Sequence, residues 1–295
     1  MQESFRSGYV SIIGRPNVGK STLLNSFLGQ KISIVAARPQ TTRNRIMGIK
    51  NLPGAQIIFI DTPGIHEPKN QLGEVMVRSA REVLREIDLV MFLSDAGRNI
   101  GKDKDIIESL KDTGKPVFLL INKIDTVRKS EILPAIDQYS GLFPFREIIP
   151  VSALKGEGLD VVLKKIVEYL PAGPKYYPDD VVTDQMERFM GGEIIREKIM
   201  EKTKEEIPYS VAVEVVDWKE REDGIVSVSA NIYVEREGQK GIIIGEKGKM
   251  LKAIGTLARK DIEKLLGAKV FLQLWVKVKK GWRDDGKVLH ELGYK

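Results

Sequence analysis

The stretch IIGRPNVGKSTLLN, residues 12–25, decides the fold of the first half of the chain. Its central part, GRPNVGKS, follows a short apolar run and precedes a segment of helical periodicity, so it connects a predicted strand to a predicted helix. The two glycines allow backbone N–H groups to converge on an anion, and the helix N-terminus adds the positive end of its dipole. The stretch therefore predicts a loop that cradles phosphate groups.

Outward from this loop, residues 8–170 alternate short apolar runs with helical segments. This order is typical of a parallel sheet covered by helices, and it predicts a doubly wound α/β domain. Predicted strands cover residues 9–13, 46–50, 56–60, 89–93, 117–121 and 147–151. Predicted helices cover residues 20–28, 71–86, 104–111, 131–140 and 159–169.

A second domain is predicted after PAGPKYYPDD, which has three prolines and a glycine in ten residues. The predicted ranges are 1–172 for the first domain, 173–182 for a linker and 183–295 for the second domain. In the second domain the pattern predicts a helix, two strands, a short helix with a glycine loop, a helix and a strand. These elements are expected at residues 183–204, 209–218, 224–235, 249–266 and 268–279, with the glycine loop before 249.

Composition narrows the class of protein. The 295 residues are 42% hydrophobic and 30% charged, as expected for a globular protein, and no apolar run could span a bilayer. The N-terminus lacks a signal-peptide pattern, so we expect a cytosolic protein. The absence of cysteine excludes disulfides and thiolate metal sites, and with two histidines a histidine-rich metal site is not expected. Residues 240–295 carry 14 basic and 6 acidic side chains, which indicates either a polyanionic partner or a solvated lysine face.

Three side chains predict a magnesium nucleotide site. Lys20 is placed to neutralise the β- and γ-phosphates, and the hydroxyl of Ser21 to bind Mg²⁺. The motif DTPG follows the third predicted strand, where the carboxylate of Asp61 can hold a water of the Mg²⁺ shell. The N–H of Gly64, in the same motif, is in reach of a γ-phosphate.

Two motifs at later strand ends predict the base. In NKID, the carboxylate of Asp125 can accept hydrogen bonds from the N1–H and 2-amino groups of guanine. Adenine has no donor at either position, so ATP is disfavoured. Asn122 can reach the O6/N7 side of the purine or brace the phosphate loop, and the stem of Lys123 can lie along the base. In VSAL, the N–H of Ala153 can donate to O6.

In combination these motifs resemble those of the translation-factor class of P-loop GTPases. The resemblance implies hydrolysis of GTP to GDP and phosphate, with Mg²⁺ bound by Ser21, Thr42 and Asp61. Thr42 lies in ARPQTTRNR, which resembles a first switch segment, and we favour it over Thr41 because it immediately precedes the arginine. The resemblance assigns the nucleotide to Gly14, Arg15, Pro16, Asn17, Val18, Gly19, Lys20, Ser21, Thr22, Asp61, Thr62, Pro63, Gly64, Asn122, Lys123, Ile124, Asp125, Ser152, Ala153 and Leu154.

Hydrolysis is expected to be slow. Where Ras-like GTPases carry the glutamine that places the attacking water, this chain has Ile65, which cannot orient water. His66 is the nearest polar alternative, although a single histidine there is more often solvent-facing. GTPases with an apolar residue here and an asparagine in the phosphate loop often use a monovalent cation. Our hypothesis is that K⁺, bound partly by Asn17, supplies the charge of an arginine finger.

A second glycine loop, GIIIGEKGKM, begins at Gly241. It lacks the Lys-Ser/Thr pair of a phosphate loop and the later carboxylate of a dinucleotide fold, so it is not expected to bind a nucleotide. It resembles the GXXG loop of a KH module, whose element order in the type II form matches this domain. The resemblance assigns RNA contacts to Gly241, Ile243, Ile244, Gly245, Glu246, Lys247, Gly248, Lys249, Met250, Lys252, Arg259, Lys280, Trp282 and Arg283. Trp282 is open to stacking or to the core, and Trp275 is expected in the core.

A doubly wound P-loop GTPase domain followed by a smaller α+β type II KH domain is a rare pairing. Over residues 8–290 the chain resembles a bacterial family of ribosome-assembly GTPases. This implies a monomeric protein that binds the 3′ end of 16S ribosomal RNA, assists maturation of the small ribosomal subunit, and contacts the inner membrane peripherally. An alternative is a membrane- or protein-directed signalling GTPase whose KH-like domain docks a protein. An RNA-modifying enzyme has no support, because no second catalytic constellation is visible.

Overall fold

The computed structural model describes residues 4–36, 41–65, 67–97 and 100–294. The chain forms two compact units, the first made mainly of residues up to Asp184 and the second mainly of residues from Gln185 onward. His66, considered above for water activation, lies outside the described residues, as do residues 37–40 of the predicted switch segment.

The first unit contains a six-stranded sheet with the order β2-β3-β1-β4-β5-β6. The strands are β1 (Arg6–Ile13), β2 (Ile46–Leu52), β3 (Ala55–Asp61), β4 (Leu89–Asp95), β5 (Val117–Asn122) and β6 (Glu147–Pro150). Neighbouring strands pair in parallel, except for the antiparallel hairpin of β2 and β3. Every residue of β3 and β5 is buried, which explains why these strands appear in the sequence as continuous apolar runs.

Four helices connect these strands and a fifth follows β6, and the predicted doubly wound α/β fold is confirmed. They are α1 (Lys20–Leu28), α2 (Gln71–Val83), α3 (Lys104–Leu110), α4 (Lys129–Ser140) and α5 (Leu159–Tyr169). The direction of strand addition reverses between β1 and β4, so the carboxyl end of β1 is the switch point where ligands bind in such folds. The glycine loop after β1 lies at this point.

The segment predicted as a linker is packed on the first unit. The amide of Ile49 donates to the carbonyl of Val182 at 2.8 Å, and the hydroxyl of Thr183 donates to the carbonyl of Met47 at 2.6 Å. The side chain of Gln56 donates to the carbonyl of Tyr177 at 2.8 Å. Residues 177–183 therefore follow the β2–β3 hairpin.

The second unit contains a three-stranded sheet with the order β7-β8-β9. Its strands are β7 (Ala212–Glu220), β8 (Val226–Val234) and β9 (Val270–Val278); β8 pairs antiparallel with β7 and parallel with β9. Its helices are α6 (Glu187–Lys202), α7 (Ile207–Ser210), α8 (Glu237–Ile244), α9 (Lys249–Leu266) and α10 (Gly286–Glu291). This α+β arrangement, with α8 and α9 on either side of the second glycine loop, agrees with the predicted KH fold.

One helical face and the central strand form the core of the second unit. Helix α9 buries Ile254, Ala258 and Ile262, which are four residues apart and so lie on one face. Alternate residues of β8, among them Val228 and Ile232, are fully buried in the same cluster. The predicted strand at residues 209–218 begins only at Ala212, because a proline opens the short helix α7 before it. None of the helices in the described part of the chain has the length and apolar character of a membrane span.

Candidate functional site

The loop between β1 and α1 has a backbone that only glycine permits at two positions. A Cβ on Gly14 would overlap the carbonyl oxygen of Leu93, and one on Gly19 would overlap the amide nitrogen of Asn122. Gly19 also has a φ of 103°, which L side chains rarely adopt. The loop therefore folds tightly, with its backbone close to β4 and β5.

Lys20 lies across the mouth of this loop. Its ammonium donates to the carbonyl oxygens of Gly14 at 3.1 Å and Arg15 at 3.0 Å, and the residue is buried. A buried ammonium attracts anions, and the two carbonyl oxygens that it contacts carry no net charge. The position fits the predicted contact with phosphate groups.

Three hydroxyls converge on one carboxylate oxygen beside the loop. The hydroxyl of Ser21 donates to Oδ2 of Asp61 at 2.8 Å, that of Ser33 at 3.1 Å and that of Thr42 at 3.4 Å. The hydroxyls of Ser21 and Thr42 are 2.8 Å apart, whereas the Thr41 hydroxyl donates to the Ala36 carbonyl instead. The cluster brings the three predicted magnesium residues together and adds Ser33, which no sequence motif indicates.

The other oxygen of this carboxylate is an orphan. Oδ1 of Asp61 is buried and has no hydrogen-bond partner among the described residues. Burial raises the pKa of the Asp61 carboxyl, and the neighbouring Lys20 ammonium opposes this only in part. A buried carboxylate oxygen without a donor, next to two hydroxyls, is an arrangement that a hard divalent cation or its bound water would satisfy. The residues present therefore fit Mg²⁺.

The described residues hold no group of three or more His, Cys, Asp or Glu side chains that could bind a metal ion by themselves. Mg²⁺ usually keeps several waters and is bound together with substrate phosphates, so it needs few protein ligands. Ser21, Thr42 and Asp61 would then supply the protein's share of the ligands.

DTPG approaches the phosphate loop closely. A Cβ on Gly64 would lie 2.8 Å from the backbone nitrogen of Pro16, so only glycine fits there. The amide of Ile65 donates to the carbonyl of Gly14 at 3.3 Å, and its side chain packs against the apolar core around β4 and β5. Since this side chain is apolar and packs against the core, the position cannot orient a water.

NKID braces the phosphate loop from β5. The Asn122 amide donates to the carbonyl of Val18 at 2.8 Å, so the bracing alternative is the one realised. The Lys123 ammonium donates to the carbonyl of Asn17 at 2.8 Å and to Asp95 at 2.8 Å. Asp95, at the end of β4, is a site residue that sequence reasoning missed.

The predicted base reader has one oxygen fixed. The hydroxyl of Ser152 donates to Oδ1 of Asp125 at 2.6 Å, while Asp125 itself is exposed. The N–H of Ala153, expected to donate to the guanine O6, donates to Oδ1 of Asn122 at 2.9 Å. Leu154 is 75% exposed and contributes little to a site wall. The carboxylate of Asp125 is thus oriented and accessible to a base.

In the second unit, the two glycines of the GXXG loop differ. Gly245 has a φ of 72°, and a Cβ there would lie 2.6 Å from Cβ of Met250. Gly248 has a φ of 78°, but a Cβ there would meet nothing within 4 Å. Glu246 and Lys247 between them are exposed. The loop therefore presents its backbone, one carboxylate and one ammonium to the solvent.

A groove of about 570 Å³ begins at this loop and runs between α9 and β9. This is the size of pockets that hold small molecules or individual nucleotides. Its walls combine the basic side chains Lys252 and Arg259, as predicted, with apolar side chains of β9, which were not. The lining residues are Gly248, Leu251, Lys252, Gly255, Thr256, Arg259, Val270, Phe271, Leu272 and Leu274.

Several residues that were predicted to contact RNA are buried or paired within the protein. Trp282 is fully buried, its indole N–H donates to the carbonyl of Ser210 at 3.0 Å, and its ring stacks on Tyr294. The prediction that this ring could stack on an RNA base is therefore wrong. Ile243, which was predicted to contact RNA, is also fully buried and belongs to the core. Arg283 is paired with Glu235 through two contacts of 3.1 and 2.5 Å.

Trp275 shows the opposite change, because it was expected in the core and is 44% exposed. It lies on the face of β9 that carries Gln273 and Lys277, which are also exposed. Lys249 and Lys280 are exposed as well, whereas Lys279 pairs with Glu291 at 3.2 Å. The basic surface is therefore smaller than the charge count implied.

Comparison with known proteins identifies both units. Residues 9–123 match the family described as 50S ribosome-binding GTPase, and residues 206–283 match the KH domain. GTPase Era of Geobacter metallireducens is 56% identical over 292 residues, which cover 98% of each chain. GTPase Era of Geotalea uraniireducens is 54% identical and that of Ruminiclostridium cellulolyticum 52%, again over nearly the full length of both chains.

Two solved structures of Era superpose on the whole chain at 45% identity, each covering 98% of this chain and 99% of the other. A variant of the Aquifex aeolicus protein bound to GDP and AlF4⁻ has a TM-score of 0.95. An Era complex with MgGDPNP and nucleotides 1506–1542 of 16S ribosomal RNA has a TM-score of 0.96.

Proposed function

Because this chain belongs to the Era family of GTPases, we propose that it is a GTP-hydrolysing switch that binds the 3′ end of 16S ribosomal RNA through its KH domain. In this role it assists assembly of the small ribosomal subunit. The solved Era complex with a GTP analogue and a 16S fragment supports the proposal by similarity.

The observation that carries the nucleotide part is the carboxylate of Asp61, with three hydroxyls on one oxygen and none on the other. Bound Mg²⁺ would neutralise charge that develops on the phosphates. The chain's own residues do the rest of the work. Lys20 balances the phosphate charge, Asn122 and Lys123 hold the loop in shape, and Asp125 selects guanine.

Slow turnover follows from Ile65, whose side chain packs in the core. With no glutamine to place the attacking water, the remaining catalysis is electrostatic, and charge delivered at the phosphate loop has a large effect. We infer that K⁺ delivers it with help from Asn17, which has a φ of 67° and whose carbonyl is held by Lys123. GTP turnover in K⁺ buffer should exceed that in Na⁺ buffer at equal ionic strength, in wild type but not in Asn17→Ala. Equal rates in the two buffers contradict the inference.

The observation that carries the RNA part is the groove that begins at Gly248 and is lined by Lys252 and Arg259. Gly248→Asp places a negative charge at the groove entrance without a steric clash, since nothing lies within 4 Å of its Cβ. Gly224→Asp is the matched control, because it has a similar φ of 75° and also open space around it.

The test is titration of a labelled 16S 3′-end RNA and of a scrambled RNA. We expect Gly248→Asp to bind the cognate RNA at least 10-fold more weakly, whereas Gly224→Asp binds as wild type. Cognate and scrambled RNA should differ in wild type. If RNA affinity changed neither with the Gly248→Asp substitution nor with the salt concentration, the result would instead favour the KH unit as a protein-docking module.

We also propose that the protein is a cytoplasmic monomer with a peripheral membrane contact, supported by the family resemblance and the excess of basic residues in 240–295. Flotation with vesicles that contain anionic lipids, compared with neutral ones, tests the membrane contact. Sedimentation of the nucleotide-bound protein tests the monomer.

A further inference from the structure

A buried side-chain cluster in the first unit reaches the phosphate loop but belongs to none of the motifs above. At its centre is Asp103, which is 4% exposed and ends a 3-10 turn before α3. Oδ2 of Asp103 accepts hydrogen bonds from the hydroxyls of Ser94 and Tyr139, both at 2.6 Å. Its other oxygen lies 3.2 Å from Nε of Arg15, the second residue of the phosphate loop.

The carboxylate of Asp103 interacts with this cluster and does not cap its own helix. Asp103 is the N-cap of α3, a position at which aspartate usually accepts a hydrogen bond from the first turn. Here no side-chain capping bond is formed, and the carboxylate points to Arg15 instead. Capping stabilises a helix by about 1 kcal/mol, so the alternative use of the side chain needs a reason.

Ser94 and Tyr139 fix the carboxylate in place. They come from β4 and α4, are both almost fully buried, and their hydroxyl oxygens are 2.5 Å apart. Burial and the bond to Asp103 raise the pKa of the Tyr139 hydroxyl, which therefore stays protonated and donates. The carboxylate is thus held from two sides, with only the oxygen next to Arg15 left for the loop.

Arg15 is held through both its backbone carbonyl and its guanidinium. Its carbonyl oxygen accepts from the Lys20 ammonium at 3.0 Å. Its buried Nε lies 3.2 Å from Oδ1 of Asp103 and makes no hydrogen bond among the described residues, so the contact with Asp103 is an ion pair. We propose that Asp103, oriented by Ser94 and Tyr139, is a positioning residue that holds Arg15 and so keeps the phosphate loop in the shape that receives the β-phosphate. Asp103 contacts no phosphate, and its effect passes through Arg15.

This inference rests on the nucleotide site proposed above and predicts a specific kinetic pattern. The β-phosphate is common to GTP and GDP, so Asp103→Asn should weaken both about 10-fold. Turnover at saturating GTP should change less than 2-fold, because no group that touches the reacting atoms is altered. Asp105→Asn is the matched control, since it makes the same change two residues away at an exposed position of α3.

A double-mutant cycle separates positioning from general destabilisation. If Asp103 acts through Arg15, then Asp103→Asn, Arg15→Gln and the double variant should all bind GDP with similar affinity, measured well below their melting temperatures. Independent, multiplying losses overturn the proposal, and so does GDP affinity of Asp103→Asn within 2-fold of Asp105→Asn.

Tyr139→Phe covers the case in which Asp103→Asn does not fold. It keeps the charge of Asp103 and removes one donor, so we expect a 2- to 4-fold loss of GDP affinity that disappears in the Arg15→Gln background. A loss that persists in that background contradicts the proposal. If neither wild type nor Asp105→Asn binds GDP, the proposed function itself fails, which is a distinct result.

Discussion

The two glycine loops of this chain differ in what surrounds them. At the phosphate loop, Cβ atoms on Gly14 and Gly19 would overlap neighbouring groups, and Asn122 and Lys123 hold the loop carbonyls. At the GXXG loop, a Cβ on Gly248 would meet nothing within 4 Å, and Lys247 is exposed. Gly245 of the second loop is packed closely against Met250, so the open position of that loop is Gly248. The first loop is a tight cradle that fits one phosphate arrangement, whereas the second is open at Gly248, where a polymer can lie along it.

This difference implies different sources of specificity. A cradle for a free nucleotide needs a separate reader for the base, and we expect Asp125, which accepts a hydrogen bond from Ser152, to be that reader. An open loop beside a groove would read bases only through the groove walls, which here contain Leu272 and Leu274 with Lys252 and Arg259. Single-stranded RNA is recognised in this way, by backbone charge and by contacts to splayed bases.

The largest expected effect concerns the base reader. Asp125→Asn replaces a carboxylate that accepts two hydrogen bonds from guanine, so GTP affinity should fall about 1,000-fold, or about 4 kcal/mol. Xanthosine triphosphate, which has a carbonyl in place of the 2-amino group, should gain affinity from the new amide donor. Competition titrations with both nucleotides measure this.

Asp137→Asn, at an exposed position of α4, is the control and should leave both affinities unchanged. RNA binding by nucleotide-free protein should also be unchanged in Asp125→Asn. If GTP and xanthosine triphosphate were weakened equally, Asp125 would be a structural residue and the contrast between the loops would lose its base reader.

The next effect concerns the cradle itself. In Gly19→Ala the new Cβ would clash with Asn122, and alanine rarely adopts the backbone φ of 103° at this position. GDP affinity should therefore fall about 100-fold. Gly29→Ala is the control, because its φ is 73° and its Cβ would meet nothing within 4 Å. We expect that control to lose about 1 kcal/mol of stability and no GDP affinity.

Gly248→Ala carries the comparison to the second loop. Like Gly29→Ala, this substitution places alanine at a positive φ but causes no clash. Affinity for the 16S 3′-end RNA should therefore fall less than about 3-fold. A loss as large as that of Gly19→Ala for GDP would mean that RNA packs directly on Gly248, and the second loop would then be as tight as the first.

How much of each site the sequence predicts depends on whether the site residues are contiguous along the chain. The phosphate loop and the GXXG loop were found because their glycines, lysines and flanking elements are contiguous. Ser33, Asp95 and Asp103 were missed because they act across the fold, and no spacing in the chain marks them.

The tryptophans show a second limit. Alternation along β9 puts Trp275 on the same face as Gln273 and Lys277, which is a usable signal for exposure that the prediction did not apply. Trp282 has no such signal, because Tyr294 and the carbonyl of Ser210, which enclose it, are brought there by tertiary packing. Periodicity tells which residues share a face but not what covers that face.

The last prediction distinguishes two arginines of the second unit. Arg259 is exposed on α9 and lines the groove, whereas Arg283 is paired with Glu235 at 2.5 Å. Arg259→Ala should weaken RNA binding about 3- to 5-fold, and it should reduce the slope of log affinity against log salt by about 0.7, the value for one phosphate contact of a single strand.

Arg283→Ala should leave that slope unchanged, because a guanidinium already neutralised by a carboxylate releases no counterion when RNA binds. The two slopes, measured with the same RNA over the same salt range, decide which face of the unit follows the strand. If Arg283→Ala lowered the slope and Arg259→Ala did not, the RNA would run along the C-terminal segment and the groove at Gly248 would have to be given another ligand.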